Sequence, residues 1–444
     1  MTAPRPHPTQ TAPGLRRPAR RRPLPQRLAA WLLAALAACL LSACTDDAQA
    51  TDQAVGADPD PRAAPTPAQP PTRPFPRIEA GQHTAPIRRI GVDAQGRWLV
   101  TASHDKTARV WDLRSGDLLR VLRPPLGEGD EGKLYAAAMT PDGSTVAVGG
   151  WTSRDGLSNA IYLFDCESGR LRHRIGGLPD RINHLAFSPD GSRLAAALRA
   201  GGVRLYAADT WTEVQQDQDY GARSLGIAFD RQGRIAATEY GVGGPGRLHL
   251  YDATLKPIAQ VDTPGGSEPV GVAFSPDGSR IAVGYDDSTA VGLFSGSDLS
   301  ALPGPDTSEI DNGGLSSVAW STDGRTLFAG GRFDDKGADT LLVAWPGVGT
   351  GRPARHRLAT DSIMDLAALP DGRLVFGAAD PAWGVWRDPT ARSGETAHPG
   401  TGPAGTAPTP DAGPLPGRGP AILDFRRVGH VLRLSADGMV ADVD

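Results

Sequence analysis

The chain has 444 residues, 39% hydrophobic and 22% charged, with a formal net charge of −4. That is ample for a sizeable core and ordinary for a soluble domain, which excludes disorder throughout. Residues 1–43 hold seven Arg, no Lys and no acid, so the remainder carries −11, a balance that argues against nucleic acid as a partner.

In chain order, residues 1–27 are Arg- and Pro-rich and cannot form a core, and Leu28 to Leu41 is an apolar run of 14. Fourteen residues are too few to span a bilayer as a helix but suit the apolar region of a signal peptide behind a positive leader. The run ends Leu41-Ser42-Ala43-Cys44, which resembles the bacterial lipobox. That resemblance implies a signal peptide over 1–43, a lipid on Cys44 and an envelope location, with the folded part in the periplasm. Residues 44–74 are rich in Ala, Pro, Asp and Gln and are expected to remain a disordered tether. Strand character returns at Phe75 to Glu79.

His83 to Asp112 then reads as a repeat unit. Ile90 and Val92 alternate into a turn at Gln95-Gly96, Trp98 and Val100 alternate after it, and Asp105-Lys106 turns the chain into a third run ending Val110-Trp111-Asp112. This predicts three short antiparallel strands. Comparable turns recur at Asp142-Gly143, Asp190-Gly191, Gln232-Gly233, Asp277-Gly278, Asp323-Gly324 and Asp371-Gly372, with a mean period of 46 residues. Each is followed by a third strand ending in an aromatic: Trp111, Phe164, Tyr206, Tyr251, Phe294, Trp345 and Trp386. One such turn is an ordinary hairpin; seven in phase are a repeat array.

The His before the first strand, the Thr in the second, the Asp in the tight turn and the closing Trp-Asp resemble the WD40 repeat. The resemblance implies an all-β, seven-bladed β-propeller over 75–387. It also implies a structural tetrad of His83, Thr101, Asp105 and Trp111. The physical need is an acceptor for a buried Trp N–H, with Thr and His chaining it to a carboxylate. A hydroxyl-His-Asp catalytic triad uses the same residue types, but in this family the set is structural. Blades 2 to 7 lack it and are expected to hold by apolar packing and strand ladders alone. Blade 7 shows only three strands. Phe75 to Glu79 is the available fourth, so that an N-terminal strand closes the ring and leaves no open edge.

Alignment of the first strands on their turns gives two core columns, one running from Ile90 to Leu366 and one from Val92 to Ala368. The two columns before them are mixed and include Arg88, Tyr135 and Asn183 in one, and Arg89, His184 and Asp365 in the other. These six residues form the candidate partner-binding face. The connections between second and third strands swell in blades 2, 4 and 6 on that same face, as insertions at a binding face do. The acidic loop of blade 6, Asp334 to Asp339, departs from the calcium-loop pattern, and a plain acidic loop is the better reading.

Residues 388–420 form a second, Pro/Gly-rich linker expected to be disordered. After it, 421–444 contains one more alternating hairpin around Ser435 to Gly438, read as the opening of a second array. Cys166 is the single thiol of the folded part and reads as a small packed side chain. No phosphate loop, dinucleotide fingerprint, zincin helix or nucleophile elbow is present, so no cofactor or metal is expected. The function expected is a membrane-tethered, non-catalytic scaffold for protein partners; the alternative is an envelope hydrolase or lactonase on the same propeller.

Overall fold

The computed structural model describes residues 81–387, apart from 126, 154–157, 218–219, 221–222, 335 and 338, together with 433–434 and 440–441. Among them there is no helix. Blade 1 is a four-stranded meander of Ile87–Val92, Trp98–Ser103, Ala108–Asp112 and Leu118–Leu122, each strand hydrogen-bonded to the next. The same meander repeats over 134–178, 182–217, 224–263, 269–302 and 317–359. The seventh blade, 363–386, has three strands among the described residues. The fold is a seven-bladed β-propeller. Phe75 to Glu79, Cys44 and both linkers lie outside the described residues. Of the C-terminal tail, Arg433–Leu434 pairs antiparallel with Val440–Ala441.

Burial is greatest in the second strands, less in the first strands that line the channel, and least in the outer strands. Thr145–Gly150 in the second strand of blade 2 is buried at every position, whereas four of the five residues of Glu213–Asp217, the outer strand of blade 3, are exposed. Inner strands are covered by a neighbouring blade on both faces and so are apolar almost continuously; outer strands meet water. The core is accordingly not one mass but seven clusters, one per blade interface. The cluster between blades 1 and 2 gathers Val100, Val110, Leu134, Val148 and Tyr162. That between blades 7 and 1 gathers Ile87, Leu99, Trp111, Leu369 and Val375, with Trp383 against Trp111 at 5.4 Å between ring centroids. This seventh interface closes the ring by packing.

The turns between first and second strands explain the repeated motif. In blade 5 the Ser275 hydroxyl donates to Asp277 Oδ1 at 2.6 Å and accepts the Arg280 amide at 3.0 Å. Asp277 in turn accepts the Ser279 amide at 3.0 Å, and Gly278 takes φ +70°. Only glycine adopts that φ without cost. Blades 2, 3 and 6 repeat the arrangement at Asp142, Asp190 and Asp323. Blades 1 and 4 carry Gln-Gly instead and move the carboxylate upstream. Asp93 accepts the amides of Arg97 and Trp98 at 2.7 and 2.9 Å, and Asp230 accepts those of Gln232 and Arg234 at 2.9 and 2.8 Å.

A third column in the first strands completes the ring. Between the two apolar columns every blade places Gly or Ala: Gly91, Ala138, Ala186, Ala228, Ala273, Ala319 and Ala367. A Cβ on Gly91 would lie 3.2 Å from the Ala138 Cα, so the innermost strands approach too closely for more.

Candidate functional site

The four side chains of the blade 1 tetrad meet. His83 Nδ1 is 2.7 Å from Asp105 Oδ2, and its Nε2 is 2.7 Å from Thr101 Oγ1. Trp111 Nε1 donates to that same Thr101 oxygen at 2.9 Å. His83, Thr101 and Trp111 are all buried. Burial opposes ionisation of Asp105, but bonds from His83, from the Thr107 hydroxyl and from the Thr84 amide prevail and hold its carboxyl at about 2. Asp105 is therefore an acceptor, which assigns the proton to His83 Nδ1 and leaves Nε2 to accept from Thr101. The relay runs one way, from indole to carboxylate, and Thr101 is fully buried within it. Blade 4 holds a different buried polar set. His249 Nε2 lies 2.9 Å from Glu239 Oε2, and the Tyr220 ring stacks on His249 with centroids 4.4 Å apart. Apolar packing is thus not the whole support of the later blades.

The first mixed column forms the mouth of the central channel. Arg88, Tyr135, Asn183, Leu225, Val270, Ser316 and Met364, one from each blade, line a cavity of about 180 Å³ on the face of the second-to-third-strand loops. The next residues along the strands sit one level deeper. Arg89, His184, Gly271, Ser317 and Asp365 border a second cavity of about 520 Å³ that continues past Phe229, Phe274 and Trp320 to the opposite face.

The six candidate readers divide between two roles. Asp365 Oδ2 accepts the Ile90 amide at 3.0 Å, and Arg89 lies 3.4 Å from Asp365 Oδ1, so both join blade 7 to blade 1. His184 Nδ1 accepts the Ile227 amide at 3.0 Å, and Asn183 donates to the Ser224 carbonyl at 2.8 Å, joining blade 3 to blade 4. Burial, then the Arg89 charge, holds the His184 imidazole well below its ordinary range, which keeps Nδ1 an acceptor. These four are engaged between blades. Alternating burial in the strands does not disclose that, because the partner strand is 41 to 276 residues away.

Arg88 and Tyr135 remain half-buried at the mouth, and four residues that sequence reasoning missed join them. The Arg181 guanidinium lies 4.0 Å from the Tyr135 ring centroid and Arg88 lies 5.6 Å from it. Arg223 lies 5.3 Å over Tyr240, and His104 packs on Tyr135 at 4.5 Å. Burial and the charges of Arg88, Lys133 and Arg181 lower the His104 pKa to about 4, so it is neutral at pH 7. Arg181 and Arg223 precede their first strands and fall outside the aligned columns. Glu268 and Asp286 of blade 5 line the same cavity.

A family model described as "WD domain, G-beta repeat" matches residues 78–112 and 257–291. Two segments of the chain thus match the WD40 repeat. The second window opens on the outer strand of blade 4, Pro257–Thr263, and runs through the first two strands of blade 5, so the WD40 sequence unit straddles two blades. Relatives include a Protein LST8 homolog of Drosophila melanogaster, 29% identical over 30% of this chain and 37% of that protein. Eukaryotic translation initiation factor 3 subunit I of Bombyx mori is 31% identical over 29% and 40%. The guanine nucleotide-binding protein subunit beta of Zea mays is 24% identical over 45% and 53%. The match thus covers 37 to 53% of the length of these three proteins. In this propeller Cys166 is buried after the third strand of blade 2, and burial followed by the Asp165 charge pushes its thiol up to about 11.

Proposed function

We propose that this chain is a non-catalytic scaffold that holds protein partners at a bacterial envelope, tethered through a lipid on Cys44. The observation that carries the reading is the mouth formed by the Tyr135 cluster. It presents aromatic rings and guanidinium groups, the side chains most enriched at interface hot spots, inside the circle of expanded loops. Two of the three relatives are named as subunits of larger assemblies, which supports partner binding. The tether rests on the lipobox-like Leu41 to Cys44 behind an apolar run too short to span.

The test is capture of the tagged full chain from cross-linked envelopes, compared with a variant whose blade 2 loop, 153–157, is replaced by two glycines. Loss of the captured set in the loop variant, with the melting temperature retained, is the expected result. An unchanged set overturns the assignment of the face. Mass spectrometry of the mature N-terminus checks the tether: an unmodified Cys44, or a chain still beginning at Met1, overturns it.

A further inference from the structure

Four charged side chains at the mouth have no ion-pair partner among the described residues. Arg88 donates to the Met364 sulfur at 3.9 Å and lies over the Tyr135 ring at 5.6 Å. Arg181 donates from Nε to Asn183 Oδ1 at 2.9 Å and otherwise stacks on Tyr135. Arg223 stacks on Tyr240. Glu268 lines the same cavity. Neighbouring charges are neutralised within the protein: Arg89 by Asp365, Arg199 by Asp180 at 3.1 Å, and Arg332 by Asp286 at 3.4 Å.

A guanidinium withdrawn from water without a counter-charge is costly. Burial, then the charge of Arg89, lowers the pKa of Arg88, and burial lowers that of Arg181. Burial, then Asp286 and Asp287, raises that of Glu268. Asp286 offsets part of the shift at Arg88 and Arg223 part of that at Glu268, and an external partner of opposite sign would relieve the rest. The aromatic rings beneath Arg88, Arg181 and Arg223 hold the planar forks in place, and a fork suits the two oxygens of a carboxylate.

Resting on the proposed partner-binding face, we propose that the mouth recognises an extended peptide. Its Asp or Glu carboxylate lies between Arg88 and Arg181, and a Lys or Arg further along it meets Glu268. The cavity of about 180 Å³ admits side chains of an inserted segment, not a folded surface. Glu268 in the same lining disfavours a doubly charged phosphate and matches a ligand that carries both signs.

The test uses the full chain and fluorescein-labelled, amidated nonapeptides with a central Glu and a Lys two, three or four positions on, read by anisotropy. Controls replace Glu by Gln, or Lys by Gln. At least one spacing is expected to bind, with the Glu→Gln control weakened about tenfold, the size of a lost charged hydrogen bond. Arg88→Gln with Arg181→Gln should match that loss at an unchanged melting temperature, and Arg88→Lys should lose part of it. Glu268→Gln should weaken the Lys peptide and leave the Lys→Gln control unaltered. Binding that is indifferent to the peptide Glu, or to the two Arg, overturns the proposal. Displacement by inorganic phosphate at lower concentration than by unlabelled peptide overturns it in favour of a phosphoanion. If the loop variant loses captured partners while no spacing binds, the peptide chemistry falls and the binding face stands.

Discussion

Asp365 in the last blade accepts the backbone amide of Ile90 in the first at 3.0 Å and faces the Arg89 guanidinium at 3.4 Å. The seam of the ring therefore carries a buried ion pair on top of its apolar cluster. Asp365→Ala would leave Arg89, 5% exposed, without a counter-charge and the Ile90 amide without an acceptor. A loss of about 3 kcal/mol is expected on urea denaturation. Adding Arg89→Met should restore part of it, and additive effects of the two changes would refute the coupling.

Thr101 is the pivot of the blade 1 tetrad, accepting from Trp111 and lying 2.7 Å from His83 Nε2. Thr101→Val keeps the shape and removes the hydroxyl, orphaning a buried indole N–H. The expected cost is about 1–3 kcal/mol, read from the urea midpoint. Thr101→Ser should recover most of it.

Acid should dissolve the same network. The Asp105 carboxyl is held at about 2, below its ordinary 3.8. A depressed folded value means that the contribution is complete above about pH 4 and is lost as pH falls through about 2. It should amount to about 1–2 kcal/mol. The stability difference between the parent and Asp105→Asn, measured from pH 6 to pH 2, should shrink over that window. A difference constant with pH would show that the carboxylate charge is not involved.

Ring closure by Phe75 to Glu79 has a separate test. The two family windows start at 78 and 257, and the latter begins the outer strand of blade 4. Deleting 73–79 should lower the melting temperature by several degrees and promote aggregation, because an edge is exposed. Deleting 51–66 should leave the melting temperature unchanged. Equal behaviour of the two deletions would count against closure.

Much of this architecture was legible because its causes are local. A period-2 alternation, a hydroxyl two residues before an Asp-Gly, and an aromatic at the end of each third strand act within one blade. The Gly or Ala column was equally visible and went unread, since its reason is the approach of neighbouring blades. Other features gave less local warning. Trp211, Leu255 and Leu299 hold left-handed φ of 59°, 64° and 61° in the turns to the outer strands. In blades 1 and 2 the corresponding positions are Gly116 and Gly169. Leu255 and Leu299 are buried in inter-blade clusters and Trp211 packs against one, and that burial offsets the strain.

The sequence by itself determined seven repeats, their turns, their core-facing columns and the tetrad of blade 1, because each follows from contacts between residues near in the chain. It also marked the channel-lining columns, since packing does not dictate the residue there. Only the tertiary structure decided which polar residues in those columns are spent. Arg89, Asn183, His184 and Asp365 bond across blade boundaries, whereas Arg88 keeps no carboxylate partner among the described residues. The same alternation places all of them along the channel. What separates them is the seating of one blade against the next, and that is set by apolar clusters drawn from strands far apart in the chain.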